Sequence, residues 1–253
     1  MRIAVAGATG LIGSRLTALA RAEGHDVVEI SREQGFDLLA PEAGPLEAAL
    51  AGADAAVDVT STRGLLSDQE TLDFFTGVAR GLGEAATAAG VPRTVTLSIV
   101  GIEKSPDYGY YVAKLAQERA AREANAGALV LRATQFHDFA RQMFEWNRDG
   151  DVTRVFDVPT QPVDTREIVR LLLDLTTGAV DHDVELAGPK AERLLDLVRR
   201  YAAHVGEDGV RVEPVEAPAS VAAGAMLPDH DGVLRRGTDW ETWLAAQPTS
   251  VRS

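Results

Sequence analysis

The 253-residue sequence predicts an α/β protein: a doubly wound, Rossmann-like parallel sheet with a small C-terminal lobe. Three observations predict it. Short apolar runs alternate with helix-length amphipathic segments over the first 136 or so residues, the pattern of a parallel sheet covered on both faces. The glycine-rich stretch Gly7-Ala8-Thr9-Gly10-Leu11-Ile12-Gly13 sits at the first strand-to-helix junction. The composition, 45% hydrophobic and 25% charged, is that of a globular domain long enough for one large core.

The elements follow in order. RIAVAG (2–7) reads as a buried strand, and residues 11–24 carry apolar positions at helical spacing up to Gly24. HDVVEISR (25–32) is a second strand, residues 44–52 a short helix, and ADAAVDVTS (53–61) a third strand. The long segment 67–90 opens on Ser67 with Glu70 three residues on, the spacing of a capping box. Residues 91–101 read as a strand, 108–126 as a helix and 127–136 as a strand. Beyond Phe136 the alternation loosens. REIVRLLLDLTTG, AERLLDLVRRYAAHVG and DWETWLAAQ are helical, and 213–231, rich in Pro, Ala and Gly, reads as a long connection. The chain is expected to form a single domain over 1–253, with roughly 137–160 and 185–253 forming the small lobe.

Composition narrows the function. A net charge of −13 argues against a nucleic-acid partner, because neutralising phosphates needs a basic face. No run of about 18 apolar residues suggests a membrane span, and the N-terminus does not read as a signal peptide. The absence of cysteine removes disulfides, thiolate metal sites and a Cys nucleophile, and fits a cytoplasmic location. His137 has no acidic or histidine neighbour at metal-ligand spacing, so no metal is expected.

The glycine run carries a mechanism. Gly7 permits a tight turn, Gly10 allows backbone to approach a pyrophosphate, and Gly13 lets the helix pack close to the sheet. The helix N-terminus adds free N–H groups and partial positive charge. Gly7, Thr9, Gly10, Leu11, Ile12 and Gly13 are therefore the candidate phosphate-side contacts of a bound dinucleotide. The second strand ends Ile30-Ser31-Arg32. An acid there would suit the 2′-hydroxyl of NAD; Arg32 beside Ser31 suits a 2′-phosphate, so NADP is favoured over NAD. Arg15 could add positive charge.

Together with Ser98 closing a strand and the YGYYVAKLAQE segment (108–118), GATGLIG resembles the short-chain dehydrogenase/reductase superfamily. The longer pattern, with TLSIVGI and LRATQFHDFA, resembles its atypical NmrA-like, NAD(P)H-binding branch. The resemblance implies that Tyr110 donates a proton to a carbonyl oxygen as hydride arrives from nicotinamide, with Ser98 orienting that carbonyl. Lys114, one turn on, would hold the nicotinamide ribose and lower the pKa of Tyr110. Spacing alone does not separate Tyr110 from Tyr111; the superfamily's YxxxK register selects Tyr110, and Tyr111 stands as second choice or pocket wall. Matching extends the cofactor side to Asp37 and Leu38 near the adenine. It also adds Val59, Thr60 and Ser61 beyond the third strand, and Thr134, Gln135 and Phe136 beside the nicotinamide. His137, Phe139, Met143, Phe144 and Trp146 cluster after that strand as an aromatic pocket or as a packing helix, with Tyr111 as a further wall. Pro159, Gln161, Pro162, Val163 and Asp164 resemble the stretch that returns the chain from the substrate lobe. Met226 and Leu227 could line its entrance.

The expected activity is an NADPH-dependent reductase of a ketone, quinone-like or conjugated carbonyl on a small apolar substrate. The expected partner is that small molecule, with neither nucleic acid nor membrane, in a monomer or homodimer. The alternative is a non-catalytic NADP-binding redox sensor of NmrA type. An epimerase or dehydratase ranks last, because the lobe shows no basic cluster suited to a nucleotide sugar.

Overall fold

A computed structural model of the chain describes residues 1–39, 43–62 and 66–249. The elements run β1 (Arg2–Ala6), α1 (Leu11–Ala22), β2 (Asp26–Ile30), α2 (Ala43–Leu50), β3 (Ala55–Asp58), α3 (Asp68–Ala88), β4 (Thr94–Ile99), α4 (Gly109–Ala124) and β5 (Ala128–Ala133). After them come α5 (Phe139–Trp146), β6 (Arg148–Asp149), β7 (Val152–Phe156), β8 (Pro159–Thr160), α6 (Thr165–Thr177) and β9 (Val184–Ala187). The chain continues with β10 (Glu192–Arg193), α7 (Leu194–His204), β11 (Arg211–Val215), α8 (Ala219–Ala222), β12 (Leu234–Arg235) and α9 (Trp240–Ala245).

The main sheet has seven strands in the order β12-β9-β5-β4-β3-β1-β2, the Rossmann-like arrangement expected. β1 lies between β2 and β3, parallel to both, so the winding direction reverses at β1. Its register sets Ala6 opposite both Ile30 and Asp58. The loops that follow these three strands therefore leave the sheet level with one another, at the carboxyl edge where ligands bind in such folds.

The Cα positions form two compact units. The first comprises Met1–Ile99, Gly109–Arg132 and Ile168–Val184. Residues Ile3 to Ala6 are wholly buried, as a strand covered on both faces requires. Leu38, Leu46, Leu50, Val78 and Leu82 pack around Ala4, Ala6 and Ile30. The capping box at α3 forms as read from the sequence: Ser67 Oγ accepts from the Glu70 N–H at 3.3 Å, and Glu70 Oε2 accepts from the Ser67 N–H at 2.9 Å. Small residues let α3 and α4 approach closely. A Cβ on Gly83 would lie 2.6 Å from the Ala124 Cβ, and Thr87 Oγ1 donates to the Ala124 carbonyl at 2.7 Å. This contact fixes the helix that carries Tyr110 and Lys114.

The second unit comprises Val100–Tyr108, Ala133–Glu167 and Glu185–Ser253. It contains a three-stranded sheet in the order β11-β7-β6 and the antiparallel β10-β8 pair. α7 buries Leu194, Leu197, Val198 and Tyr201, and Tyr201 meets the Phe144 ring of α5 edge-on at 5.8 Å. The stretch expected to be one long connection, 213–231, instead opens with the end of β11 and contains α8. β11 pairs in parallel with β7, so the pairing partner that stabilises it lies about sixty residues upstream, beyond the reach of local pattern.

Candidate functional site

Gly7 adopts φ +83°, a conformation that costs a side-chain-bearing residue but not glycine. It also lies against the chain leaving β3: a Cβ there would stand 2.9 Å from the Val59 carbonyl oxygen and 3.0 Å from the Thr60 nitrogen. The Gly10 N–H donates to the Gly7 carbonyl at 2.9 Å and closes the turn. Gly13 is the tightest of the three loop glycines, with a notional Cβ 2.1 Å from the Gly7 carbonyl oxygen. Gly10 caps α1 with no side-chain hydrogen bond, and the first turn holds no acidic residue. The first-turn amides lack intrahelical acceptors, so the positive end of the helix is left for an external anion. This cradle, which a Cβ would fill, fits a dinucleotide pyrophosphate. Thr9 at its rim is exposed, whereas Ile12 turns into the core.

The end of β2 offers a second fit. Ser31 Oγ is shielded from solvent and has no hydrogen-bond partner among the described residues. Arg32 follows at once on the surface, in a single 3-10 turn, Arg32–Gln34. Asp37 is exposed and accepts from the Leu39 N–H at 3.0 Å, while Leu38 is a core residue.

β3 ends on Asp58, an acid buried at the close of an apolar strand. One carboxylate oxygen accepts from the Thr60 hydroxyl at 2.7 Å and the Thr60 N–H at 3.0 Å. The other accepts from Gln117 Nε2 at 2.7 Å. Gln117 Oε1 in turn accepts from the Lys114 ammonium. Lys114, 4% exposed, also donates to the Leu97 carbonyl at 2.8 Å and lies over the Phe75 ring, 4.5 Å from its centroid. Beside it, Glu118 holds Arg132 in a two-point ion pair with contacts of 2.8 and 2.9 Å.

Tyr110 is half-buried, its ring edge-on to Phe75 at 5.5 Å and its hydroxyl hydrogen-bonded with Ser61. Ser61, expected under the ribose, thus meets the Tyr110 hydroxyl. Tyr111 is enclosed in the core. The electrostatics differ from the expectation in one respect. Burial pushes the Tyr110 pKa up, the Ser61 hydrogen bond opposing it, and the Lys114 ammonium is occupied by Leu97 and Gln117. Tyr110 is accordingly a neutral phenol across the physiological range.

Ser98 lies at the end of β4, 2% exposed, and its hydroxyl has no hydrogen-bond partner among the described residues. Its chain neighbour Leu97 carries the carbonyl that anchors Lys114. A buried hydroxyl without a partner costs free energy that an incoming acceptor would recover.

The remaining candidates belong to the second unit. Thr134 Oγ1 donates to the Gln161 carbonyl at 2.6 Å, Gln135 accepts from Thr160 at 2.7 Å, and Phe136 bridges in parallel to Val163. His137 is fully buried, with Nε2 3.1 Å from the Pro162 carbonyl oxygen. Trp240 donates to its carbonyl at 3.1 Å, and the Trp243 ring sits 5.6 Å away. Burial lowers its pKa, so the ring is neutral and enclosed rather than presented to a pocket. On α5, Phe139 and Met143 are part-exposed and Trp146 is 62% exposed, while Phe144 is core. Met226 is buried, and Leu227 part-exposed. Among the described residues no cluster of His, Cys, Asp or Glu could hold a metal, and no helix is long and apolar enough to cross a membrane.

Sequence reasoning missed Asp58, Gln117 and Phe75. Their signals were an acid ending an apolar strand and a glutamine three residues after Lys114 on the same helical face.

Burial lowers the Lys114 pKa from the ordinary 10.5 to about 8, against the opposing pull of Asp58 and Glu118. Below pH 8 the lysine is charged in the folded and unfolded chains alike, and the fold bears the full cost of a buried ammonium. Between about 8 and 10.5 the folded state gives up its proton first, so stability rises with pH. The full rise is roughly 3 kcal/mol. Urea unfolding of the wild type across this range should show the rise, and Lys114→Met should lack it.

No protein-family model matches this sequence. No curated protein matches it either. Solved structures do resemble it. A dTDP-4-dehydrorhamnose reductase from Bacillus anthracis, in complex with NADP, is 14% identical over 96% of this chain and 97% of its own, with a TM-score of 0.74. MoeE5 in complex with UDP-glucose and NAD is 19% identical over 100% of this chain and 94% of its own, with a TM-score of 0.68. A short-chain dehydrogenase/reductase superfamily protein from Agrobacterium tumefaciens with bound NAD is 18% identical over 88% and 87% of the two chains, with a TM-score of 0.62. The NmrA-like likeness rests on the sequence motifs alone. At these identities what is shared is the fold: the chain has the Rossmann-like α/β fold of these solved structures.

Proposed function

We propose that this protein is an NADPH-dependent reductase of a carbonyl compound. The observation that carries the reading is the buried Ser98 hydroxyl, without a partner among the described residues, beside the carbonyl that anchors Lys114. The glycine cradle and the free end of α1 would hold the pyrophosphate, and Ser31 and Arg32 the 2′-phosphate. The chemistry NADPH supplies when bound is hydride donation. The chain supplies the rest. Ser98 offers a hydrogen bond that orients a carbonyl oxygen, Tyr110 holds the phenolic proton that oxygen needs, and Lys114 brings a buried positive charge to the same helix face. Burial keeps Tyr110 protonated, which suits it to donate rather than abstract.

The substrate proposed is a small apolar ketone, quinone or conjugated carbonyl. Nucleotide sugars are the second reading, favoured by neighbours whose names include dTDP-4-dehydrorhamnose reductase and a UDP-glucose complex. Against it, Arg141, Arg148, Arg154, Arg166, Arg193 and Arg200 of the second unit pair with acids and would have to exchange partners to hold a diphosphate, which leaves the adjacent Arg235 and Arg236 as the basic pair such a substrate would use. The test follows NADPH oxidation with a panel of ketones, quinones and dTDP- and UDP-hexoses. Turnover of an apolar carbonyl supports the first reading, and turnover of a nucleotide hexose alone supports the second. Tight NADPH binding with no turnover of any class would move the protein to the NmrA-type sensor.

Arg32→Ala should weaken NADPH binding by about 10- to 100-fold and leave NADH binding unchanged, because only the 2′-phosphate is contacted by the guanidinium. Parallel fluorescence titrations with the two cofactors would measure it, and equal effects on both would reject Arg32 as the discriminating residue.

A further inference from the structure

We infer that Gln117 is a positioning residue that fixes the Lys114 ammonium against β4 and ties it, through Asp58, to the Thr60 segment of the dinucleotide edge. The inference rests on the reading of Lys114 and Thr60 given above. The observation is one continuous chain of hydrogen bonds, buried where it passes through Gln117. Thr60 donates to Asp58, Gln117 donates to the second oxygen of Asp58, Lys114 donates to Gln117, and Lys114 donates again to the Leu97 carbonyl. Gln117 is 0% exposed, so neither end of its amide can turn to water. Its orientation is fixed by chemistry at both ends: a carboxylate only accepts and an ammonium only donates, so the amide N faces Asp58 and the amide O faces Lys114. A glutamine is the one uncharged side chain of this length that can serve both at once. A leucine would leave two charged groups facing an apolar side chain, and a glutamate would set two carboxylates against each other.

The chain has a consequence for the lysine. A long, flexible ammonium beside a half-buried tyrosine would ordinarily take up several rotamers. Here three acceptors on three elements hold it: the amide oxygen on α4, the Leu97 carbonyl on β4 and the Phe75 ring face on α3. The charged groups around it are Asp58 from β3 and Glu118 from its own helix, the latter neutralised by Arg132 from β5. Asp58 is shared between the lysine, through Gln117, and Thr60. Any shift of the Thr60 segment is therefore transmitted to the ammonium through three hydrogen bonds in series.

The test uses Gln117→Leu and Gln117→Glu in the full-length protein, with two readouts. The first is the pH window in which stability rises, read by urea unfolding, which reports the proton affinity of Lys114 without any cofactor. Leucine removes an acceptor from the charged form and should move the lower edge of the window to lower pH, widening it. Glutamate adds negative charge at the ammonium and should move that edge to higher pH, narrowing it. The second is steady-state turnover. Both variants should keep the NADPH affinity within about threefold while kcat falls about tenfold or more, the signature of misplacement rather than lost binding. A purely structural glutamine would lower stability at all pH values without moving the lower edge of the window in opposite directions, and that result would overturn the inference. If the leucine variant does not fold, the glutamate variant decides, because only a glutamine in contact with Lys114 gives an alkaline shift. If the wild type binds no NADPH, the functional reading fails, while the unfolding windows still decide whether Gln117 controls the lysine.

Discussion

Gly13→Ala should abolish dinucleotide binding, lowering NADPH affinity by about 100-fold or more, and should cost the fold several kcal/mol. The added methyl would stand 2.1 Å from the Gly7 carbonyl oxygen and 2.8 Å from the Ala8 Cα. Both are backbone atoms, so no rotamer change relieves the clash, and α1 must move off the loop it closes. The cradle and the helix N-terminus would then part, and the two sources of phosphate affinity would no longer point at the same place. Gly24→Ala is the control. Its φ of +84° makes alanine strained there, yet a Cβ meets nothing within 4 Å. It should lower stability by about 1 kcal/mol and leave NADPH binding intact. A fluorescence titration with a thermal scan of each variant separates the cases. Equal binding by Gly13→Ala and wild type would place the dinucleotide elsewhere.

Tyr110→Phe should reduce turnover by about 10²- to 10⁴-fold, the usual contribution of a positioned proton donor, with little change in NADPH affinity. Phenylalanine keeps the ring contact with Phe75 and loses only the hydroxyl and its bond with Ser61, so stability should fall by about 1 kcal/mol or less. Ser98→Ala sharpens the comparison. The Ser98 hydroxyl is buried without a partner among the described residues, so removing it should leave stability unchanged or improve it slightly. A residue whose loss costs activity and not stability is there for a ligand. If Ser98→Ala instead destabilised the protein with turnover preserved, the hydroxyl would be structural and the carbonyl site misassigned.

Much of the first unit was legible in the sequence because its signals are local. The capping box at Ser67 and Glu70 is a four-residue pattern, and the Gly7–Gly13 spacing is dictated by one turn and one helix start. Strand and helix order over the first half follows from periodicity alone. The C-terminal half resisted because its strands are short and their partners distant. Val152–Phe156 finds its place only by pairing with Arg211–Val215. The candidate site was legible in its residue types and not in its connections. Spacing set Lys114 on the face of Tyr110, but Gln117, and an aspartate more than fifty residues upstream, determine where the ammonium points. His137 looked like a pocket residue among aromatics, and two tryptophans a hundred residues later enclose it.

Titrating the purified protein with NADPH and with NADH, following cofactor fluorescence, tests whether the carboxyl edge of this sheet binds NADPH. Saturable NADPH binding at micromolar concentrations is expected, about tenfold or more tighter than NADH, and lost in Gly13→Ala. Binding of neither cofactor, or NADPH binding that survives Gly13→Ala unchanged, would contradict it.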